Sequence, residues 1–199
     1  MPFAPKPRPV TIDGATVELV AFYFPGANTP WDDVYAAPFL GNFWLCRVSL
    51  ENDGTCGTFH TAEAAFQATR WWHDATARQM FENAPDGDAA FRVKRQLERE
   101  ANAPDYGYAG LGRDGAMRHV LAGKFAAKDL ADGLLATGGA YLLEHNEKTG
   151  RDDYWSDNND GTGRNMLGLM LMDFRRDLGG SADPTPHAPV GDFTRQVEV

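Results

Sequence analysis

The chain has 199 residues, 43% of them hydrophobic and 12% aromatic, enough for one core, and its net charge of −9 argues against indiscriminate binding to phosphate backbones while leaving room for one modified base in a locally basic pocket. No apolar run reaches the ~20 residues of a bilayer span, and no apolar segment follows the basic N-terminus, so neither a membrane helix nor a secretory signal is expected and the cytosol is the default location. Two cysteines, Cys46 and Cys56, make no disulfide framework and no zinc pattern; buried free thiols are expected.

Met1 to Pro9 carries Pro2, Pro5, Pro7 and Pro9, and Gly179 to Val199 is rich in Gly, Pro and Asp. Both segments read as surface tails or clamps, which gives a tail over 1–17, a domain over 18–178 and a tail over 179–199. Glu18 to Phe24 (ELVAFYF) ends at Pro25-Gly26 and predicts a strand. Asn42 to Leu50 predicts another, with Asn52, Asp53 and Gly54 as the turn behind it. Thr61 caps a helix from Ala62 to about Trp72. Helices follow over Ala75 to Glu82, Asp88 to Ala101 and Asp114 to Ala126, the last with Met117, Val120, Leu121 and Phe125 as a buried stripe. Asp129 starts a short helix through Leu135, closed by Gly138-Gly139. Tyr141 to Glu144 is strand-like, and Lys148 to Arg164 is a long polar loop around Trp155. Asn165 to Leu178, with Met166, Leu167, Leu169, Met170 and Met172, predicts a central helix. No repeat, second domain or linker stands out. The expected fold class is mainly α with a small amount of β (α+β), in one compact domain.

Two constellations can carry chemistry. On the helix after Thr61, Glu63, Gln67 and Arg70 fall at i, i+4 and i+7 and share a stripe. Glu63 lies in the first turn, where the helix dipole favours a carboxylate in its ionised form. The alternative is a solvated helix start with a surface Gln and Arg. The second is the loop Arg151 to Asn165, in which acids and amides surround Trp155 and two glycines precede Arg164. Its spacing fits neither an EF-hand nor a Walker or GxGxxG cradle. It is either a solvated cap on the last helix or a binding loop that gives the indole a partner. There is no GxSxG elbow, no HExxH and no Cys paired with His in a known motif, and the dispersed His60, His73, His119, His145 and His187 read as packed or surface residues. Positive charge gathers in Arg92 to Arg99 and in Arg113, Arg118, Lys124 and Lys128, a pattern that usually marks solvated helix faces.

Taken together, several segments resemble the NADAR (YbiA-like) family. They are the Phe22-Tyr23 pair, Gly41-Asn42-Phe43, and the helix Ala62-Glu63-Ala64-Ala65-Phe66-Gln67-Ala68-Thr69-Arg70-Trp71. Met117 to Phe125, Leu134 to Gly138, Leu142 to His145, and Tyr154-Trp155-Ser156 through Met172 follow in the family's order. The resemblance implies a compact, mainly α fold and hydrolysis of an N-glycosidic bond, with no metal or organic cofactor. It puts the catalytic carboxylate at Glu63 and pocket positions at Asn42, Arg70, Trp155 and Asp157. This sequence departs from the pattern at Ser156, where the family has Gly, and in a mid-chain Trp for which Tyr106 and Tyr108 are the two candidate substitutes.

Cleaving a ribosyl C–N bond develops an oxocarbenium-like sugar. A carboxylate at Glu63 would stabilise that charge and deprotonate water. Asp157 or Asp160 would protonate the leaving amine if a pocket raised its pKa. Trp155 offers a stacking face for the base, with Phe43 and Tyr154 as further substrate-binding candidates. Arg70 suits a phosphate because its guanidinium forks onto paired oxygens, with Lys124 and Arg164 behind it. Asn42, Gln67, Asp160 and Asn165 are the remaining substrate-binding candidates. The expected substrate is an ADP-ribose or ribose-phosphate conjugate, first as ADP-ribosylated guanine in DNA or RNA and second as a ribosylamino-pyrimidine phosphate of riboflavin synthesis. A non-catalytic module for NAD-derived nucleotides, or an interaction protein using the tails and Trp31, are the competing classes. No membrane partner is expected.

Overall fold

A computed structural model describes residues 3–26, 28–181 and 188–197, and its chain divides into two compact units. His187 lies outside the described residues. Most of the regular structure is helical and the strands form two small sheets, so the class is α+β.

The first unit comprises Met1–Gly41 and Lys128–Val199. Its sheet has the order β1 (Arg8–Ile12), β2 (Ala15–Phe22), β5 (Tyr141–Glu144). β1 and β2 pair antiparallel around Asp13-Gly14, both at positive φ (48° and 78°), the pair a tight two-residue hairpin needs. The segment expected as a tail therefore supplies an edge strand, and Pro9 within it fits because an edge tolerates a missing donor. β2 pairs parallel with β5 from Leu19↔Tyr141 to Phe22↔Glu144. β2 stops at Phe22, two residues before the predicted end, because the next two amides turn away: Tyr23 and Phe24 donate to the Asp32 carboxylate at 2.9 and 3.0 Å.

Asp32 belongs to α1 (Pro30–Tyr35), a helix the sequence reading passed over despite its Thr29 N-cap and Pro30 at the first position. Trp31 is buried on this helix, so it is no exposed docking residue. α6 (Lys128–Leu135) and α7 (Met166–Asp177) lie close to their predicted spans. α7 packs on β5, with Leu167, Met170, Leu171 and Met172 buried, while Leu169 is 37% exposed, so one face is open. The approach is close at Gly168, where a Cβ would sit 2.1 Å from the Leu142 carbonyl oxygen and 2.5 Å from Asn165 Oδ1. Gly168→Ala must push strand and helix apart, and is expected to cost about 1–3 kcal/mol in urea unfolding. α8 (Val190–Thr194) lies in the other expected tail, yet its Phe193 is fully buried and stacks on Tyr141 at 3.7 Å.

The second unit is Asn42–Ala127. β3 (Leu45–Asn52) and β4 (Thr55–Thr61) form a hairpin around Asp53-Gly54, again both at positive φ. The turn was legible and its return strand was not, because TCGTFHT offers a single large apolar residue. Thr61 caps α2 (Ala62–Ala68) by accepting from the Ala64 amide at 3.0 Å, as the sequence predicts, and a 3-10 turn over Thr69–Trp71 extends it. α3 (Ala75–Glu82), α4 (Gly87–Arg99) and α5 (Gly112–Lys124) follow, the first two capped by Asp74 and Asp86. α5 buries Met117, Val120 and Leu121, with Phe125 beyond it also buried. Both cysteines are free thiols, but Cys56 is exposed and Cys46 half-buried, against the burial expected of them.

Candidate functional site

Residues Ala62 to Arg70 are all buried. A solvated face is excluded: Glu63, Gln67 and Arg70 retain 7%, 7% and 8% exposure. Their spacing becomes a hydrogen-bonded row. Gln67 Nε2 donates to Glu63 Oε1 at 2.8 Å, and Arg70 Nη1 donates to Gln67 Oε1 at 3.3 Å. The amide thus presents its donor to the carboxylate and its acceptor to the cation, the one orientation that serves both. Arg70 Nη2 lies 3.6 Å from Glu98 Oε1, which Lys94 Nζ also reaches at 3.5 Å. The guanidinium rests against two rings, 5.1 Å from the Trp71 centroid and 5.4 Å from Tyr106. Tyr106 itself is 75% exposed, a large apolar face left at the surface beside a buried cation.

Asn42 adjoins this row. Its backbone carbonyl accepts from the Glu63 amide at 2.9 Å, and its Nδ2 faces Met117 Sδ at 3.7 Å. Its Oδ1 is buried without a hydrogen-bond partner among the described residues. Phe43 is half-buried, stacks on Phe91 at 5.7 Å and covers Gly87 so closely that a Cβ there would meet its ring at 2.3 Å. Tyr108 stacks on Phe66 at 5.4 Å, which leaves Tyr106 as the exposed aromatic of this unit. Lys124 has no exposed surface, and its Nζ lies 5.4 Å from the Phe125 centroid.

The first unit carries the other candidates, on the loop between β5 and α7. Asp157 has no exposed surface. Its Oδ2 is 2.6 Å from His145 Nδ1 and accepts from Thr194 Oγ1 at 2.8 Å, and its Oδ1 accepts from the Asn159 amide at 2.8 Å. Its carbonyl accepts from Gly161 and Gly163. His145 packs edge-on against Trp31, ring centroids 4.5 Å apart. This buried His–Asp pair escaped sequence reading, because nothing in a spacing of twelve residues across a loop marks a contact.

Ser156, the departure from the family pattern, is buried and has a local cause. Its hydroxyl donates to the Asp152 carbonyl at 2.6 Å and accepts from Asn146 Nδ2 and the Asn158 amide. Asp160 does not meet the condition set for an acid. It is exposed, and the Thr162 hydroxyl, then the Thr162 amide, hold its carboxyl below the usual carboxylate range. Asn165 is fully buried, and both Nδ2 hydrogens point inward, to the Leu142 carbonyl at 2.8 Å and the Tyr141 hydroxyl at 3.2 Å. It staples β5 to the start of α7 rather than presenting an amide to a ligand. Tyr154 and Trp155 are half-buried and meet edge to face at 5.0 Å, and the exposed Arg164 places its guanidinium 5.6 Å from the Tyr154 centroid. Burial pushes the Tyr23 phenol above its ordinary range, against the pull of Arg151. Among the described residues no three His, Cys, Asp or Glu side chains converge as a metal site, and no helix is long and apolar enough to cross a membrane.

The NADAR domain family matches residues 31–179. The N-glycosidase YbiA of Escherichia coli strain K12 is 42% identical over 122 residues, which cover 61% of this chain and 71% of that protein. The riboflavin biosynthesis protein VVA0006 of Vibrio vulnificus is 35% identical over 141 residues, 70% of this chain but 35% of that protein, so the chain spans about a third of it. The NMR structure of E. coli YbiA superposes with a TM-score of 0.60 at 27% identity, covering 82% of this chain and 88% of that one. The YbiA relatives are named as N-glycosidases, which makes N-glycosyl hydrolase the class these matches support. The chain belongs to the NADAR domain family.

Proposed function

We propose that this N-glycosyl hydrolase cleaves the bond between a phosphorylated ribose and an amino-bearing base, with Glu63 as the carboxylate that faces the anomeric carbon. The observation that carries this reading is the buried row in which Glu63 and Arg70 are held apart and oriented by Gln67. As the C–N bond breaks, its electron pair leaves with the amine nitrogen and the sugar becomes cationic. Glu63 stabilises that cation and takes a proton from the attacking water, whose oxygen bonds to the anomeric carbon. Arg70, whose guanidinium lies close to the Trp71 and Tyr106 rings, binds a phosphate with its edge. Asn42 Oδ1, buried and without a hydrogen-bond partner among the described residues, is an acceptor suited to a sugar hydroxyl. Lys124, in the same unit as Glu63, is a secondary phosphate ligand, and Phe43 is a face for the base there; on the first unit Arg164 is a candidate phosphate ligand, and Trp155 with Tyr154 a candidate stacking face. Asp157, with the imidazole it holds, is the first unit's candidate for the acid that protonates the leaving amine.

Two substrate classes fit this chemistry. Similarity to a riboflavin biosynthesis protein and the net charge of −9 favour a ribosylamino-pyrimidine phosphate. The exposed Arg92, Arg95 and Arg99 on α4 favour the other, ADP-ribose on a guanine of DNA or RNA. Offering both substrates side by side and following sugar release decides between them. Faster turnover of the small phosphate is expected. Faster release from ADP-ribosylated DNA reverses the order, and release from neither returns the chain to a non-catalytic nucleotide-binding module.

A further inference from the structure

The family match ends at residue 179, yet residues beyond it are built into the loop that carries Asp157. Three contacts bring α8 there, all within the first unit. Thr194 Oγ1 donates to Asp157 Oδ2 at 2.8 Å, the same oxygen that faces His145 Nδ1 at 2.6 Å. Phe193 is fully buried with its ring parallel to Tyr141, 6° between planes. Gly161, at φ +83°, approaches Gly191 so closely that a Cβ on it would stand 2.4 Å from the Gly191 Cα. An apolar anchor, a backbone-to-backbone seat and a hydroxyl aimed at one carboxylate oxygen are more than a tail needs to cover surface. We propose that Thr194 is a positioning residue for Asp157, and that the C-terminal segment carrying it is a clasp that fixes the 156–165 loop.

The physical reason lies in the acceptor count. A fully buried carboxylate must have its lone pairs occupied to hold one orientation. Of its two oxygens, Oδ1 is bonded by the Asn159 amide within its own loop, whereas Oδ2 is bonded from outside it, by His145 and Thr194. Without the Thr194 hydroxyl, Oδ2 keeps only His145, the carboxylate is held by two donors instead of three, and the looser carboxylate loosens the imidazole with it. α8 thus does for the loop what a supporting hydrogen bond does for a catalytic imidazole.

Whether the loop takes part in turnover rests on the proposed function, so the test needs a readout that does not. In the full chain, Thr194→Val removes the donor at nearly constant volume, and Thr194→Ser restores it. Hydrogen exchange of the 157–165 amides is expected to speed up by about tenfold or more in Thr194→Val and to return in Thr194→Ser. The proton NMR signal of His145 Nδ1–H is expected to shift in the first variant only. With the preferred ribosyl substrate, kcat should fall while KM stays close to that of the parent. Unchanged exchange together with an unmoved imidazole signal overturns the clasp. Faster exchange with an intact kcat upholds the clasp and instead removes Asp157 from the proposed mechanism.

Discussion

Glu63→Gln is expected to lower kcat by about a thousandfold, equivalent to about 4 kcal/mol of transition-state stabilisation, while the affinity for a ribose-phosphate product changes little. The substitution is nearly isosteric. It keeps an oxygen able to accept from Gln67 Nε2 and leaves Arg70 tethered to Gln67 and close to Glu98. What disappears is a negative charge and a site for a proton. A pure binder gains nothing from a carboxylate next to the ribose, so the split between turnover and binding is diagnostic. Single-turnover sugar release reads the first quantity, and calorimetric titration with ribose 5-phosphate reads the second. Turnover equal to that of the parent would remove Glu63 as the reacting carboxylate and the mechanism with it.

The part of this site legible in the sequence is the part written on one helix. Glu63, Gln67 and Arg70 recur at helical spacing, and that spacing is a distance. Elements with a complete local signature were equally plain: α3 has the predicted bounds because Asp74 caps it, and α6 and β5 have nearly or wholly the predicted ones. What stayed hidden depends on contacts between distant residues. AEAAFQA reads as a half-exposed helix, and only the packing of β3, β4, α3, α4 and α5 around it makes it buried on every side. Tyr106 reaches Arg70 from thirty-six positions away in sequence, and Thr194 reaches Asp157 from thirty-seven. The prolines near the N-terminus and the glycine-rich C-terminal region look like tails by composition, yet β1 gains a ladder and α8 a stacked ring once β2 and Tyr141 exist to receive them. Asp157 and Asp160 have the same side chain three positions apart and opposite fates, one buried under three donors and one exposed.

Asp32→Ala is expected to destabilise the protein by about 3–5 kcal/mol, a large share of the 5–15 kcal/mol typical of a folded domain. The Asp32 side chain is 1% exposed and accepts four hydrogen bonds. Tyr23 N reaches Oδ1, and Phe24 N, Thr29 N and Thr29 Oγ1 reach Oδ2 at 3.0, 3.0 and 2.6 Å. Alanine would strand these donors, each at about 1–3 kcal/mol when no water replaces the acceptor, with partial relaxation keeping the total below the sum. Asp32→Asn isolates the cause. Its oxygen can stay where Oδ2 is and keep three of the four bonds, while its NH2 opposes the Tyr23 amide, so a loss of about 1–2 kcal/mol is expected. The damage should spread from the end of β2 into β5, because the His145 amide bonds to the Phe22 carbonyl at 3.0 Å, one residue before the first amide that Asp32 holds. Urea unfolding reads both variants as a lower midpoint at unchanged slope. Equal losses for Ala and Asn would mean that charge, not the count of acceptors, holds this corner, and an unmoved midpoint for Ala would mean that solvent reaches the four donors in the folded state.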